Sequence, residues 1–394
     1  MVDYLLLALF IPVMVCLFWF IELLFANGEN QKAKKHLSFL MICGFFSFLG
    51  GLLYFKEIYS VYAIIYIGIM VFSMAQIPAL YLYLISLTEN NIPLKIYFGH
   101  YILPFLTGII VIYFHYIYIS HEDLLVVINY YFTPQELIQK QKVTYYADLI
   151  LRNGFVLLGI FYLILIHSKV KRHFKKVMDY YSDAEYKNLR WITLTTAIYL
   201  LFALIGATLF NSQSNQIIYK NTSIVSIPFL LMAMVFWYIG FLGNRQQLIV
   251  IPASEMDQKP QFILTEALRK DMVNKIKHTI ETDKLYLKPD ICLPDLARKV
   301  GTNRYYLSKI INDELGMNFN NFINQYRIAE AVELMRSPDS SYSLADIAAR
   351  CGFNAYISFV RSFKRHKNES PENYIKRRED KAQQIPGRRN HVPS

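Results

Sequence analysis

Seven apolar runs in the first 243 residues limit what this chain can fold into more than any other feature. They cover residues 4–25, 36–55, 59–87, 97–119, 149–167, 191–210 and 223–242. A helix needs about 20 apolar residues to cross a hydrocarbon core, so each run predicts a membrane-spanning helix. The third is long enough to tilt or break, and Pro78 within it predicts a kink. The first run is too long for a cleaved leader, lacks a basic start, and has no small-residue cleavage site after it. The hydrophobic share of 54% and the mean hydropathy of +0.25 follow from these runs.

Lysine and arginine in the connecting segments set the expected orientation. Lys32, Lys34 and Lys35 follow the first run, Lys95 follows the third, and Lys169, Lys171, Arg172, Lys175, Lys176, Lys187 and Arg190 follow the fifth. The alternate segments hold only Lys56, Lys140 and Lys142, and Lys220. The basic set is therefore expected on the cytoplasmic side, with the N-terminus outside and residues 244–394 inside. The many tyrosines of this region, Tyr59, Tyr62, Tyr66, Tyr113 and Tyr116 among them, read as interfacial anchors and packing.

Polar groups inside the runs are the candidates for sensing. Asp148 and Arg152 are four residues apart, on one helical face, and are expected to pair locally. His115 falls toward the outer end of the fourth run, and Gln76 falls mid-run beside Pro78. The longest outer connection, residues 120–146, is too short for a separate sensor domain. Within it Thr133-Pro-Gln-Glu reads as a capped helix start, with Glu136 at the capping-box position. A signal is expected to be read by the bundle, by this connection, or through a partner membrane protein.

Residues 243–260 read as a polar linker. Leu264, Leu268, Met272, Ile276 and Ile280 then recur every four residues and predict a helix over 263–285. That stripe either packs on the following domain or serves as a dimer and signalling helix. Residues 260–394 carry 23 Lys+Arg against 16 Asp+Glu, a net +7 of the whole chain's +11. A basic C-terminal third fits a nucleic-acid partner.

Residues 293–300 predict a short helix, with Pro294 at its start and Gly301 in the turn that follows. Thr302-Asn303 caps a second helix over 304–315. Residues 319–335 predict a long helix that is apolar on more than one side. Ser343 caps a helix over 344–351, with Asp346 in its first turn. Gly352-Phe353-Asn354 is a turn, and 355–366 a further helix. Ser370-Pro371 opens a last one. Two helix-turn-helix patterns on either side of a rod are a far stronger signal than one.

In these residues the chain resembles the AraC/XylS family of transcription regulators. The likeness lies in Leu307-Ser-Lys-Ile, Gln325-Tyr-Arg-Ile-Ala, Ile347-Ala-Ala-Arg-Cys-Gly-Phe, Phe359-Val-Arg-Ser-Phe-Lys and Ser370-Pro-Glu-Asn-Tyr. It covers about residues 287–377. It implies an all-helical module whose two recognition helices enter successive major grooves of DNA. By that pattern Arg304, Tyr305, Ser308 and Lys309 correspond to base and phosphate contacts of the first unit. Tyr356, Ile357, Val360 and Arg361 correspond to those of the second, with Lys364 and Arg365 placed for phosphates. Two departures stand out. Asn368 occupies a turn where glycine is usual, and Ile357 is apolar where polar readers are common. The apolar region is similar to that of membrane-bound variants of the family with a multi-span N-terminus.

The expected architecture is all-α: a seven-helix transmembrane bundle over 1–243, a linker and signalling or dimer helix over 244–286, a cytoplasmic domain with two helix-turn-helix units over 287–378, and a disordered tail over 379–394. The expected function is a regulator in the bacterial inner membrane that couples a membrane or extracytoplasmic signal to promoter binding. The candidate partners are double-stranded DNA, the lipid bilayer, a second copy of the chain, RNA polymerase, and a membrane protein or small ligand. The alternative is a transporter or enzyme with a regulatory tail. No GxSxG, HExxH, P-loop or two-metal carboxylate cluster appears in the apolar runs. Cys16, Cys43, Cys292 and Cys351 have no metal-ligand or CxxC spacing and read as small buried residues. Neither a metal nor a cofactor is expected.

Overall fold

The computed structural model describes residues 3–27, 30–89, 92–128, 137–183, 188–211, 222–246, 265–336 and 342–383. Among them the secondary structure is helical, apart from one isolated antiparallel bridge between Tyr181 and Cys292. The chain divides into two compact units, one of residues 1–171 and 189–250, the other of 172–188 and 251–394.

The first unit contains α1 (Tyr4–Phe25), α2 (Gln31–Phe55), α3 (Tyr59–Thr88), α4 (Leu94–Ile112), α5 (His121–Ile128), most of α6 (Gln139–Tyr180), α7 (Arg190–Asn211) and α8 (Thr222–Arg245). A π-helical turn, Tyr113–Tyr118, continues α4. Six of the seven apolar runs appear as helices long and apolar enough to cross a membrane: α1, α2, α3, α4 with its π turn, α6 and α8. The run read at 191–210 lies in α7, whose described apolar part, Arg190–Gly206, is shorter. Pro78 does not break α3, which runs unbroken for 30 residues with Pro78 and Gln76 both buried. The fifth run is the largest surprise. It was expected over 149–167, yet α6 is 42 residues long and ends only at Tyr180. The helix start read at Thr133–Glu136 lies outside the described residues.

Glycines let the helices of this unit approach closely, as small residues do where apolar helices meet without a hydrophobic driving force. A Cβ on Gly240 would sit 2.4 Å from the Trp19 indole, and one on Gly44 2.6 Å from the Phe236 ring. Tyr83 donates to the Gly243 carbonyl at 3.0 Å. The opposite helix faces point outward and are apolar: Phe10, Met14, Phe18 and Ile21 on α1, Phe98, Ile102 and Phe105 on α4, Leu157, Phe161 and Ile164 on α6, all exposed. A face of this kind is unfavourable in water by about 25 cal/mol per Å².

The second unit holds the segment 172–188 together with α9 (Glu266–Thr282), a 3₁₀ turn at Leu285–Leu287, α10 (Leu293–Val300), α11 (Arg304–Asp313), α12 (Phe319–Arg336), α13 (Leu344–Arg350), α14 (Tyr356–Lys367) and α15 (Pro371–Gln383). Two small cores organise it. Ile276 and Ile280 of α9 join Leu293, Leu296, Val300, Leu307, Ile310 and Ile311 in the first. The apolar stripe of α9 thus packs on the first helix pair, while Leu268 nearer its start is exposed. Ile347, Ala348, Phe359 and Phe363 make the second core. α12 serves both: Phe319, Phe322 and Ile323 enter the first, and Ile328, Ala331, Val332 and Met335 the second.

Capping follows the sequence reading. The Asn303 side chain accepts from the Tyr306 amide at 2.9 Å, and Ser343 forms a reciprocal capping box with Asp346. Gly301, Gly316 and Gly352 take positive φ. Asn368 takes φ 60° and closes α14, because its short polar side chain tolerates the left-handed region. Two readings need correction. Cys292 is only half-buried; it caps α10, and its thiol donates to Asp295 at 2.9 Å. The last helix reaches Gln383, into the stretch expected to be a disordered tail, whose residues 384–394 lie outside the described set.

Gly352 is the most constrained of the turn glycines. Its φ is +85°, and an added Cβ would lie 2.7 Å from the Leu287 carbonyl oxygen. Alanine there meets backbone that cannot give way, so Gly352→Ala is expected to cost about 2–4 kcal/mol. Gly301→Ala, with φ +74° but only the Lys275 ammonium within 3.6 Å, is expected to cost about 1–2 kcal/mol. Thermal unfolding of the two variants side by side, reading the second unit, checks the difference.

Candidate nucleic-acid interface

Each helix pair presents the outer face of its second helix. On α11 the buried residues Leu307, Ile310 and Ile311 turn inward, which leaves Lys309 exposed and Tyr305 and Ser308 half-buried. Asn312, one turn on, donates to Ser308 Oγ at 3.3 Å. On α14 Phe359 and Phe363 turn inward. Ile357, Arg361 and Lys364 lie at i, i+4 and i+7 on the outer face, all exposed. Arg365 is exposed too and donates to Asn321 Oδ1 at 2.8 Å. Val360 is half-buried against the second core, so its methyls pack inward more than the sequence pattern implied. Tyr356 donates its hydroxyl to Glu372 on α15. Burial, with the Glu372 carboxylate beside it, pushes the phenol up to about 12, which keeps it a donor at neutral pH.

Arg304 departs from the expectation. It is 8% exposed, and its guanidinium lies over the Tyr180 ring, 5.3 Å from the centroid. In this arrangement it faces the segment 172–188 rather than the outer surface with Lys309.

The two pairs are tied together by a group that sequence reasoning missed. Arg327 on α12 is fully buried. Its Nε donates to the Tyr286 carbonyl at 2.7 Å. Its Nη2 donates to the carbonyls of Lys288 at 2.8 Å and Pro289 at 3.2 Å and to Ser182 Oγ at 3.2 Å. The Phe353 ring of the second turn lies 5.4 Å from the guanidinium. Burial pulls the guanidinium down to about 10, so it remains charged at neutral pH. Charge-assisted bonds to the carbonyls offset that desolvation.

Around the same residue, the segment Tyr181–Ser182 is held as a short strap. The Ser182 amide donates to the Ile291 carbonyl at 3.2 Å. Asn320 of α12 donates to the Ser182 carbonyl at 2.7 Å, and Asn324 donates back to Asn320 at 3.1 Å. Asn320, Asn324 and Arg327 stand at i, i+4 and i+7, a buried polar line on a rod that reads as apolar on more than one side. That spacing was the available signal. Its partner, 140 residues earlier in a loop read only for its charge, gave none.

In the first unit the four sensing candidates form two neighbouring groups. His115 Nε2 lies 2.8 Å from Asp148 Oδ1, and its ring stacks on Tyr66 at 4.4 Å between centroids. Asp148 therefore has His115 as a hydrogen-bond partner, besides the charge of Arg152 four residues on. Gln76 donates to Ser47 at 2.5 Å and accepts from the Tyr199 hydroxyl at 2.8 Å. Arg152 and Gln76 both line one cavity of about 400 Å³. No cluster of metal-ligating side chains occurs among the described residues.

The C-terminal geometry is two helix pairs on either side of a shared rod, α12. Residues 296–377 match the helix-turn-helix domain family, and the C-terminal part of the chain is an AraC-type domain of that kind. An HTH-type transcriptional regulator of Staphylococcus aureus strain COL, uncharacterized, is 34% identical over 107 residues. The match takes in 27% of this chain but only 14% of that regulator, and its counterpart in strain MSSA476 gives the same figures. The probable transcription factor PqrA of Proteus vulgaris is 29% identical over 107 residues, 85% of its own length. No solved structure matches the chain.

Proposed function

We propose that this protein is a membrane-integrated, sequence-specific transcription regulator that couples a membrane or extracytoplasmic signal to promoter binding. The observation that carries the reading is the union, in one chain, of six span-length apolar helices with outward apolar faces and an AraC-type helix-turn-helix domain. In this reading α7 supplies the seventh span, the N-terminus is outside, and the domain works at the cytoplasmic face of the bacterial inner membrane. α11 and α14 enter successive major grooves, with Lys309 and Arg361 as the principal base or phosphate contacts. Tyr305, Ser308, Tyr356, Ile357, Val360, Lys364 and Arg365 flank them. Exposed Ile357 suits a thymine methyl.

The strap offers a route for the signal. α6 is one continuous helix from the apolar unit to Tyr180, and the residues that end it hold Arg304 and Arg327. A shift in α6 would move Tyr180 and release Arg304 toward DNA. Tyr180→Ala removes a cation–π contact of roughly 0.5–2 kcal/mol. It is therefore expected to raise promoter affinity about 3- to 10-fold and to blunt the response to the signal. Titration of the full-length variant in detergent with labelled promoter DNA checks this; weaker binding would make the contact structural.

Duplex binding by the intact protein tests the core of the proposal. Affinity must fall steeply with salt, with a log–log slope of about −0.9 per phosphate contacted. Genomic occupancy, with and without overexpression, would identify the promoters. Binding that ignores salt and sequence would sink the regulatory reading. Transport or hydrolysis by the membrane unit would favour the transporter or enzyme reading instead.

A further inference from the structure

The cavity in the apolar unit has features of a ligand site rather than of a packing gap. Its volume, about 400 Å³, falls in the range of small-molecule pockets. Most of its wall is apolar, from Ile69, Met70, Phe155 and Phe229, and small residues such as Gly50, Gly51 and Ala203 keep it open. Polar groups gather at two places. One is the neutral chain Ser47, Ser73, Gln76 and Tyr199, in which each member has another as hydrogen-bond partner. The other is charged: Arg152, with Tyr66 and Tyr62 around it.

The charged end is unusual for a membrane-embedded packing defect. An arginine amid apolar helices is costly and is kept mainly where it serves a pathway or a ligand. Its neighbour Asp148 already has the His115 imidazole on one oxygen. The Tyr66 hydroxyl is buried, 1% of the residue being exposed. It makes no hydrogen bond of ordinary geometry although the Arg152 charge lies beside it. His115, stacked on the same tyrosine, sits in the π-helical turn of the α4 rod, a distortion that frequently marks functional sites. A buried hydroxyl beside a fixed positive charge, both on the wall of an apolar cavity, is a place where an anionic acceptor would be held.

We propose that this cavity binds an anionic amphiphile, a carboxylate or equivalent acid on an apolar body. The headgroup lies between Arg152 and Tyr66, and the apolar part runs along Phe155 and Phe229. The neutral serine, glutamine and tyrosine chain satisfies itself and needs no ligand. The inference rests on the reading of this unit as the signal-receiving part, and names the class of signal. The acid arrives either free or as the headgroup of an anionic lipid; the site chemistry is the same.

The test uses the full-length protein in nanodiscs of zwitterionic phosphatidylcholine, with decanoate as probe and decanol as its uncharged match. A chain of roughly ten carbons suits a pocket of this volume. Binding is read directly by titration calorimetry, apart from any DNA. Decanoate is expected to bind about 10-fold or more tightly than decanol, since an ionised acceptor makes the stronger hydrogen bond. Arg152→Gln is expected to erase that preference while decanol binding stays within about 2-fold, and Tyr66→Phe to reduce it about 3- to 10-fold. Should Arg152→Gln not fold, Ala203→Phe keeps the arginine and fills the cavity, and must abolish binding of both probes. Nanodiscs with phosphatidylglycerol in place of part of the phosphatidylcholine separate the sources: loss of decanoate binding there identifies a lipid headgroup, retained binding a free acid. Equal affinity for decanoate and decanol in the wild type, or a preference untouched by Arg152→Gln and Tyr66→Phe, overturns the proposal. If decanoate binds as expected but leaves DNA affinity unchanged, the site stands and the coupling reading fails.

Discussion

Arg327→Ala is expected to unfold the C-terminal unit while leaving the apolar unit intact. The substitution removes bonds to three backbone carbonyls and to Ser182 and opens a space in the middle of α12. The Tyr286 carbonyl is left without that donor, at about 1–3 kcal/mol, while the Pro289 and Lys288 carbonyls keep the Ser182 hydroxyl and the Ile291 amide. With the emptied volume the combined loss is roughly 3–6 kcal/mol. A domain of this size holds only about 5–15 kcal/mol of stability. Arg327→Lys keeps the charge but not the planar fork, and is expected to lose about half as much. Hydrogen exchange on the full-length protein in detergent reads the outcome by segment. Protection across residues 285–367 should collapse in the alanine variant, while protection in α1–α3 should hold. Unchanged protection in α12 would mean that the buried guanidinium is not what joins the two helix pairs.

The second large effect is on function rather than folding. Lys309→Ala with Arg361→Ala is expected to lower promoter affinity on the order of 10²- to 10⁴-fold, since each groove contact contributes about 1–3 kcal/mol and separated contacts add. Both side chains are exposed, so folding and membrane insertion should be unaffected. The single variants carry separate signatures. A base-reading residue relaxes specificity at one position of the operator. A phosphate-contacting one weakens all sequences alike and flattens the salt slope by about 1. Normal promoter occupancy by the double variant would mean that the outer faces of α11 and α14 are not the groove faces.

Much of the second unit was legible because its instructions are local. Asn303 and Ser343 announce helix starts through side-chain oxygens that reach amides three residues on. Gly301 and Gly352 mark turns whose positive φ other residues resist. Asn368 could replace a glycine for the same stereochemical reason. On α14 the resemblance implied Ile357 and Arg361 as outward residues, and they are exposed, whereas Val360 packs against the second core. The fifth run marked only the apolar part of its helix, because hydropathy ends where lysines begin, whereas a helix does not: Lys171, Lys175 and Lys176 continue α6 without a break.

The sensing residues show the other limit. Spacing placed Asp148 beside Arg152, and the two charges do interact; the hydrogen bond between Asp148 and His115, 33 positions earlier, left no trace in spacing. Tyr66 reads as one interfacial or packing tyrosine among many, and Tyr199 has no local signal. Only the approach of separate helices distinguishes them from the rest.

The sequence by itself therefore determined the helices, their caps and turns, the apolar lengths suited to a bilayer, and most of the outward faces of α11 and α14. Each is set by contacts within a few residues or by the period of a single helix. The tertiary structure decided which polar groups lie against one another: Arg327 with the 286–289 carbonyls and Ser182, Arg304 with Tyr180, and Arg152 with Tyr66 around a cavity. These are pairings across tens to more than a hundred residues. A buried charge or hydroxyl takes whichever partner folding brings within hydrogen-bond reach, and nothing in the local chain names that partner in advance.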